Sequence, residues 1–241
     1  MPTKYNVKLI EKIQAGDSIY ILRFERGNGW DFDYQPGQFV TAYIPREEKD
    51  KPMLMRSYSI ASSPSNKKFF ELCVKKVEGG PGSTYLCTRE VGDIVEFTAP
   101  LGKFTMKNTP NKHMFMVATG TGIAPFKSMI EYIYETNSMP GKEIWLFFGA
   151  RTQKDLVYKE LFENLASKHK NFHYIPSLSR EGMDTGWKGE RGHIEIALEK
   201  HLTEPKNTDI YICGLPYMVN ETIELGEKKG VPKEFIFTER Y

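Results

Sequence analysis

Cysteine is scarce in this chain. Only Cys73, Cys87 and Cys213 occur in 241 residues, with no C-x-x-C pair and no metal-ligand spacing. That excludes a built-in iron–sulfur cluster, and an odd number of thiols in apolar settings points to reduced cysteines in a reducing compartment. The five histidines, His113, His169, His173, His193 and His201, also lack metal spacing, so no metal is assigned. Charge of one sign is missing too. The net charge of +2 and isoelectric point near 8.2 are too mild for a nucleic-acid partner, for which a domain value above about 9 with clustered Lys and Arg is expected. A small acidic partner stays open. No apolar run approaches the roughly 20 residues that span a bilayer, and the amino terminus has no cleavable apolar core. A cytoplasmic protein is therefore expected. There is no internal repeat and no low-complexity tract. What is present is 40% hydrophobic residues over a length beyond one usual core, which predicts two domains.

The first hundred residues read as β-structure. Residues 6–13, 18–24, 38–44, 57–61, 69–76 and 94–98 are short, often alternating and rich in Val, Ile, Phe and Tyr. Gly27-Asn28-Gly29, Gln35-Pro36-Gly37 and Ser62-Ser63-Pro64-Ser65 break them at barrel-like spacing. Gly79-Gly80-Pro81-Gly82 is a further break, after which Ser83 is read as the cap of a short helix to Arg89. The polar stretch Lys107 to Lys112 reads as a linker. From Met114 onward strands (114–118, 143–148, 172–176, 209–213, 234–237) alternate with helices (124–136, 155–169, 192–201, 216–229), the pattern of right-handed βαβ crossovers. This predicts an antiparallel β-barrel over residues 1–108 and an α/β domain with a parallel sheet over 109–241, whose ligands lie at the carboxyl ends of its strands.

Four islands carry candidate chemistry: R-S-Y-S at Arg56 to Ser59, G-T-G-I-A-P at Gly120 to Pro125, C-G at Cys213-Gly214, and the terminal E-R-Y at Glu239 to Tyr241. Strand alternation places Arg56 and Tyr58 on one face, a phosphate-pairing guanidinium beside an aromatic ring able to cover a flat heterocycle. Gly82-Ser83-Thr84 adds helix-start amides that attract a pyrophosphate. The second island follows an apolar strand and opens a helix, where glycines let a dinucleotide's phosphates approach the backbone. It departs from G-x-G-x-x-G at its last glycine, and Phe126 before Lys127-Ser128 argues against a phosphate-binding P-loop. Each island alone has an ordinary structural explanation. Their joint occurrence in one order is what points to an enzyme.

With these residues in place, the chain resembles the ferredoxin–NADP+ reductase family from about Tyr34 to Tyr241. The resemblance implies one FAD held noncovalently between the two domains, with Arg56 on its phosphates, Tyr58 and Ser59 at the isoalloxazine ring, and further contacts from Cys73, Val74, Lys75, Gly82, Ser83 and Thr84. It implies a nicotinamide-nucleotide site at Gly120, Thr121, Gly122 and Pro125 and at Cys213, Gly214, Leu215 and Met218 (C-G-L-x-x-M). Thr121 is also placed among the cofactor contacts. Ser179-Arg180 corresponds to the family's receptor for the 2′-phosphate of NADP, with Lys188 or Arg191 as a second cation. Trp187-x-Gly189-x-x-Gly192 is also similar to NADH-using oxygenase reductases. Plant-type members end as Glu239 and Tyr241 stand here, which implies a tyrosine stacked on the flavin.

The implied reaction is hydride transfer between NADPH and flavin N5, with single electrons passed to a separate ferredoxin or flavodoxin. Ser59 and Glu239 are the expected relays of the N5 proton, Cys213 shapes the nicotinamide pocket, and Tyr241 completes the catalytic set. A monomer is expected. Two alternatives stay open: an NADH-dependent reductase feeding an oxygenase, and a flavin electron-transfer subunit without pyridine-nucleotide activity of its own.

Overall fold

The structure is a computed structural model and describes residues 3–27, 32–46, 51–183 and 185–240. The chain divides into two compact units, Met1–Met106 with Ala124–Ser138, and Lys107–Ile123 with Met139–Tyr241. In this division one helix of the second half clusters with the barrel.

The first unit is a six-stranded antiparallel sheet made of β1 (Lys4–Gln14), β2 (Ile19–Glu25), β3 (Phe39–Ile44), β4 (Leu54–Ser59), β5 (Phe69–Lys75) and β6 (Ile94–Leu101), in the order β4-β3-β6-β1-β2-β5. Its edges meet. Ile60 bridges Leu72, and the Ala61 amide donates to the Glu71 carbonyl at 2.7 Å, so the sheet closes into a barrel and no long edge is left open. Alternating burial along β2 and β3 turns one face of each inward. Phe24, Phe70 and Phe97 meet there, at 5.2 Å stacked for Phe24–Phe70 and 4.9 Å edge-on for Phe24–Phe97. Strand β4 begins at Leu54, earlier than residue 57, and ends at Ser59. Beyond it, the chain leaves β3 for β5 through Ile60 and Ala61.

Two helices complete this unit, α1 (Pro81–Thr88) and α2 (Ile123–Thr136). The cap of α1 is Gly80, not Ser83, because Pro81 with its fixed φ starts the helix three residues earlier. The Ser83 hydroxyl instead accepts from the Val77 amide at 3.1 Å and donates to the Gly80 carbonyl at 3.2 Å. Helix α2 is held to the barrel by polar groups that its sequence does not advertise. Buried Lys127 pairs with Glu131 at 2.8 Å and Glu71 at 3.2 Å, and Ser128 donates to the Ser62 carbonyl at 2.6 Å. The lysine and serine of the near-P-loop are thus engaged in holding the helix, as the replaced glycine implied.

The second unit is a six-stranded parallel sheet of β7 (His113–Thr119), β8 (Glu143–Ala150), β9 (Phe172–Leu178), β10 (Glu190–Arg191), β11 (Thr208–Gly214) and β12 (Ile236–Arg240). The order is β10-β9-β8-β7-β11-β12. From β7 the chain proceeds outward through β8 and β9, then returns to place β11 on the other side of β7. The topological switch therefore falls between β7 and β11. Helices α3 (Lys159–Lys168), α4 (Ile194–His201) and α5 (Pro216–Lys229) belong to this unit. The apolar residues of α4 and α5 pack with those of the sheet around Phe115, Val117, Phe147, Ile210 and Ile212. Two boundaries differ from the sequence reading. Asp155 sits in a short 3-10 turn closed by a capping box with Thr152, so α3 starts only at Lys159. Residues 233–235 form another such turn, which delays β12 to Ile236.

The stretch read as a linker is pinned to this second unit. Asn111 is buried and donates to Asp209 at 2.7 Å, Thr109 donates to the same carboxylate, and the Lys107 amide donates to the Tyr211 hydroxyl at 2.8 Å. Lys142 completes the group, 3.4 Å from Asp209, with the carboxylate fully buried. All three cysteines are buried thiols, none joined in a disulfide. Among the described residues, no helix is long and apolar enough to cross a membrane.

Candidate active site

In the barrel unit, Arg56 and Tyr58 do share one face, and it is turned toward α1. A Cβ added to Gly82 would stand 2.7 Å from the Arg56 Cγ and 2.8 Å from the Tyr58 hydroxyl. Only glycine allows this approach, so Gly82 is where β4 and the start of α1 come together. The first turn of a helix leaves amides without intrahelical partners; here they are those of Gly82 and Ser83, while the Thr84 amide already donates to the Gly80 carbonyl at 2.9 Å. The Arg56 stem, the Tyr58 phenol and helix-start amides thus meet, while the guanidinium donates to the Met55 carbonyl at 2.8 Å; a guanidinium, a phenol and free amides are donors suited to a pyrophosphate. Burial pushes the Tyr58 hydroxyl up to about 12, with a smaller contribution from Cys87, so it stays a neutral donor across physiological pH. Ser59 ends β4 opposite Phe39. On β5, Cys73 and Val74 are buried and Lys75 is exposed.

In the α/β unit, the two glycine motifs interlock at the switch point. Gly120 has a positive φ of 55° and opens a 3-10 turn, Gly120–Gly122, that follows β7. A Cβ on Gly122 would lie 2.2 Å from the Cys213 carbonyl oxygen, and one on Gly214 would meet the Met218 Cε at 2.4 Å and the Thr119 Oγ1 at 2.6 Å. Close backbone packing of β7 against β11 therefore accounts for Gly122 and Gly214, and this same packing builds the crevice floor between the strand ends. Thr121 is half-buried, Pro125 is buried within the first turn of α2, and Met218 is buried while Leu215 stands exposed at the cap of α5.

Cys213 sits in register with Ala118 on one side and Glu239 on the other. Its thiol is held well above the usual range, first by burial and then by the Glu239 carboxylate. A neutral, buried sulfhydryl fits packing and not nucleophilic attack. Glu239 is half-buried on β12. Tyr241 lies outside the described residues, as do Asn28 and Gly29 of the first turn.

The loops after β8 and β9 run together. The Ser179 amide donates to the Ala150 carbonyl at 3.0 Å and the Arg180 amide to the Arg151 carbonyl at 2.8 Å. Both side chains at 179 and 180 are exposed, and so is Arg151, which sequence reasoning missed although a cation directly after a parallel strand was a usable signal. Glu181 is turned aside, accepting from the Gln153 amide at 3.0 Å and its side chain at 2.8 Å, which holds its carboxyl below the ordinary range. Lys188 and Arg191 are not equivalent. Arg191 donates to the carbonyls of Glu181 (2.9 Å), Gly182 (3.1 Å) and Trp187 (3.3 Å), fastening its own loop, whereas Lys188 is exposed. The W-x-G spacing also has a local cause, since a Cβ on Gly189 would stand 2.4 Å from the Trp187 ring.

Comparison with known proteins divides the chain between residues 106 and 116. Residues 6–106 match the oxidoreductase FAD-binding domain and residues 116–224 the oxidoreductase NAD-binding domain. The chain is 34% identical to ferredoxin–NADP reductase B of Sorangium cellulosum over 91% of this chain and 90% of that one. It is 31% identical to the phenol hydroxylase P5 protein of Acinetobacter pittii, over 98% of this chain but 65% of that protein. Against the propane 2-monooxygenase reductase component of Mycolicibacterium goodii it is 31% identical, over 92% of this chain and 63% of that protein, so it spans under two thirds of both these proteins. Among solved structures, the FAD/NAD-binding domain of the Vibrio cholerae nitric oxide dioxygenase superposes with a TM-score of 0.85 at 20% identity, covering 100% of this chain and 99% of that one. That last likeness speaks for the fold alone.

Proposed function

This chain belongs to the ferredoxin–NADP+ reductase family, with an FAD-binding and a NAD(P)-binding domain, and from that premise we propose that it moves electrons between NADPH and a separate one-electron carrier protein, a ferredoxin or flavodoxin. Bound FAD supplies the chemistry, exchanging a hydride with the nicotinamide and single electrons with the carrier. The protein supplies positions and protons. Arg56 and the Gly82 and Ser83 amides hold the pyrophosphate, Tyr58 and Ser59 border the ring, and Cys73 to Lys75 line it from β5. The loop Gly120–Gly122 and the start of α5 at Leu215 receive the nicotinamide nucleotide, and Ser59 and Glu239 carry the proton of the reacting flavin nitrogen.

The observation that carries this reading is the coincidence of both glycine motifs with the one switch point of the parallel sheet, between β7 and β11, where open α/β sheets bind their ligands. Preference for NADPH rests on exposed Arg180 and Ser179, with Lys188 as the second cation, because Arg191 is engaged by three backbone carbonyls. The second reading, an NADH-dependent reductase feeding an oxygenase, is favoured by the Trp187–Gly192 loop and by a relative named as a propane 2-monooxygenase reductase component. Initial rates with NADPH and NADH, each with ferredoxin, flavodoxin or an oxygenase component as acceptor, separate the two. Faster turnover with NADPH that reduces ferredoxin or flavodoxin supports the first. Equal or faster turnover with NADH overturns it.

A further inference from the structure

Within the α/β unit, α4 and α5 bring three metal-ligating side chains together. His193 is the residue before α4, Glu195 is in its first turn, and Glu221 is on α5. One ligand atom from each lies within 4.8 Å of the other two. We propose that His193, Glu195 and Glu221 form a binding site for a divalent transition-metal ion of the zinc type, tying the start of α4 to α5.

The electrostatics ask for a cation. Glu195 and Glu221 are both half-buried, and their carboxylates stand close together. A neutral imidazole with two carboxylates totals two negative charges, which a divalent ion cancels. The imidazole nitrogen sets the ion class, since it suits zinc and its neighbours in the transition series while magnesium and calcium take oxygen ligands. Zinc bonds of about 2.0–2.2 Å put tetrahedral ligand atoms about 3.4 Å apart, so modest rotation of these incompletely buried side chains closes the site. Tyr217 supports it from outside. Its ring meets His193 edge-on at 6.3 Å, an outer contact that helps to orient the imidazole.

The test is calorimetric titration of untagged, chelator-stripped holoprotein with zinc chloride, beside its thermal melting with and without zinc. One zinc per chain with micromolar affinity and a raised melting temperature are expected. His193→Ala and Glu221→Gln should each weaken binding at least about tenfold, with FAD content and turnover in chelator unchanged, and Glu195→Gln provides a third variant should either fold poorly. Millimolar magnesium should leave the isotherm unaltered. No saturable binding below millimolar zinc, unaltered affinity in the folded variants, or displacement by magnesium would overturn the site.

Discussion

Replacing Gly82 by alanine should detach FAD while leaving the fold intact. The new methyl carbon would stand 2.7 Å and 3.2 Å from the Cγ and Cβ of Arg56 and 2.8 Å from the Tyr58 hydroxyl. The Arg56 atoms are stem atoms and cannot swing aside, so β4 and the first turn of α1 must separate and the guanidinium and amides no longer address one phosphate group. Losing one charge-assisted contact costs about 1.5–3 kcal/mol, which weakens FAD binding about 10- to 150-fold. Helix propensity acts in the opposite direction, favouring alanine by up to about 1 kcal/mol, so melting of the flavin-free protein should barely move. The assay is quenching of FAD fluorescence on titration into deflavinated protein, for Gly82→Ala, Arg56→Ala and the double variant. Because both singles break the same contact, the double should lose much less than the sum of the two. Parent-like FAD affinity in Gly82→Ala, or strictly additive losses, would refute the reasoning.

Arg180→Ala should remove most of the preference for NADPH, a change of about 10- to 100-fold in the ratio of kcat/KM values; if discrimination survives intact, Lys188 or Arg151 holds the 2′-phosphate. Lys142→Met leaves the buried Asp209 carboxylate without its cation and should destabilise the chain by about 3–5 kcal/mol in urea unfolding, a loss under 1 kcal/mol contradicting the burial argument. The Tyr58 hydroxyl, raised to about 12 from an ordinary 10.0, lends stability that is complete below pH 10 and is lost as pH rises toward 12. Tyr58→Phe should therefore flatten part of the alkaline fall in melting temperature, and an unchanged slope would mean the hydroxyl is not sheltered.

Much of the fold was legible because local chemistry and tertiary position agree. Helix α5 shows it best: Pro216 at its start, Gly230 in the left-handed region at its end (φ 96°) and the apolar stripe between them all place the same boundaries. The G-T-G and C-G islands were legible for a similar reason, since each follows an apolar strand. What no short window contains is their interlocking, with Gly122 against Cys213 and Gly214 against Thr119, residues about ninety apart in sequence. Ser83 misled because serine is a common cap, but Pro81 fixed the start first. The membership of α2 in the barrel unit was invisible for the same long-range reason: Lys127 finds Glu71, and Ser128 finds Ser62. Lys188 and Arg191 stand alike in sequence. Only the carbonyls around Arg191 distinguish them.

The most direct test of the central claim is anaerobic stopped-flow reduction of the purified protein, followed at the visible flavin band, with NADPH and NADH in parallel. The account predicts bound FAD whose band is bleached by one equivalent of NADPH, faster than by NADH, and restored on adding oxidised ferredoxin or flavodoxin. Folded protein that retains no flavin, or flavin that neither nucleotide reduces, would contradict it.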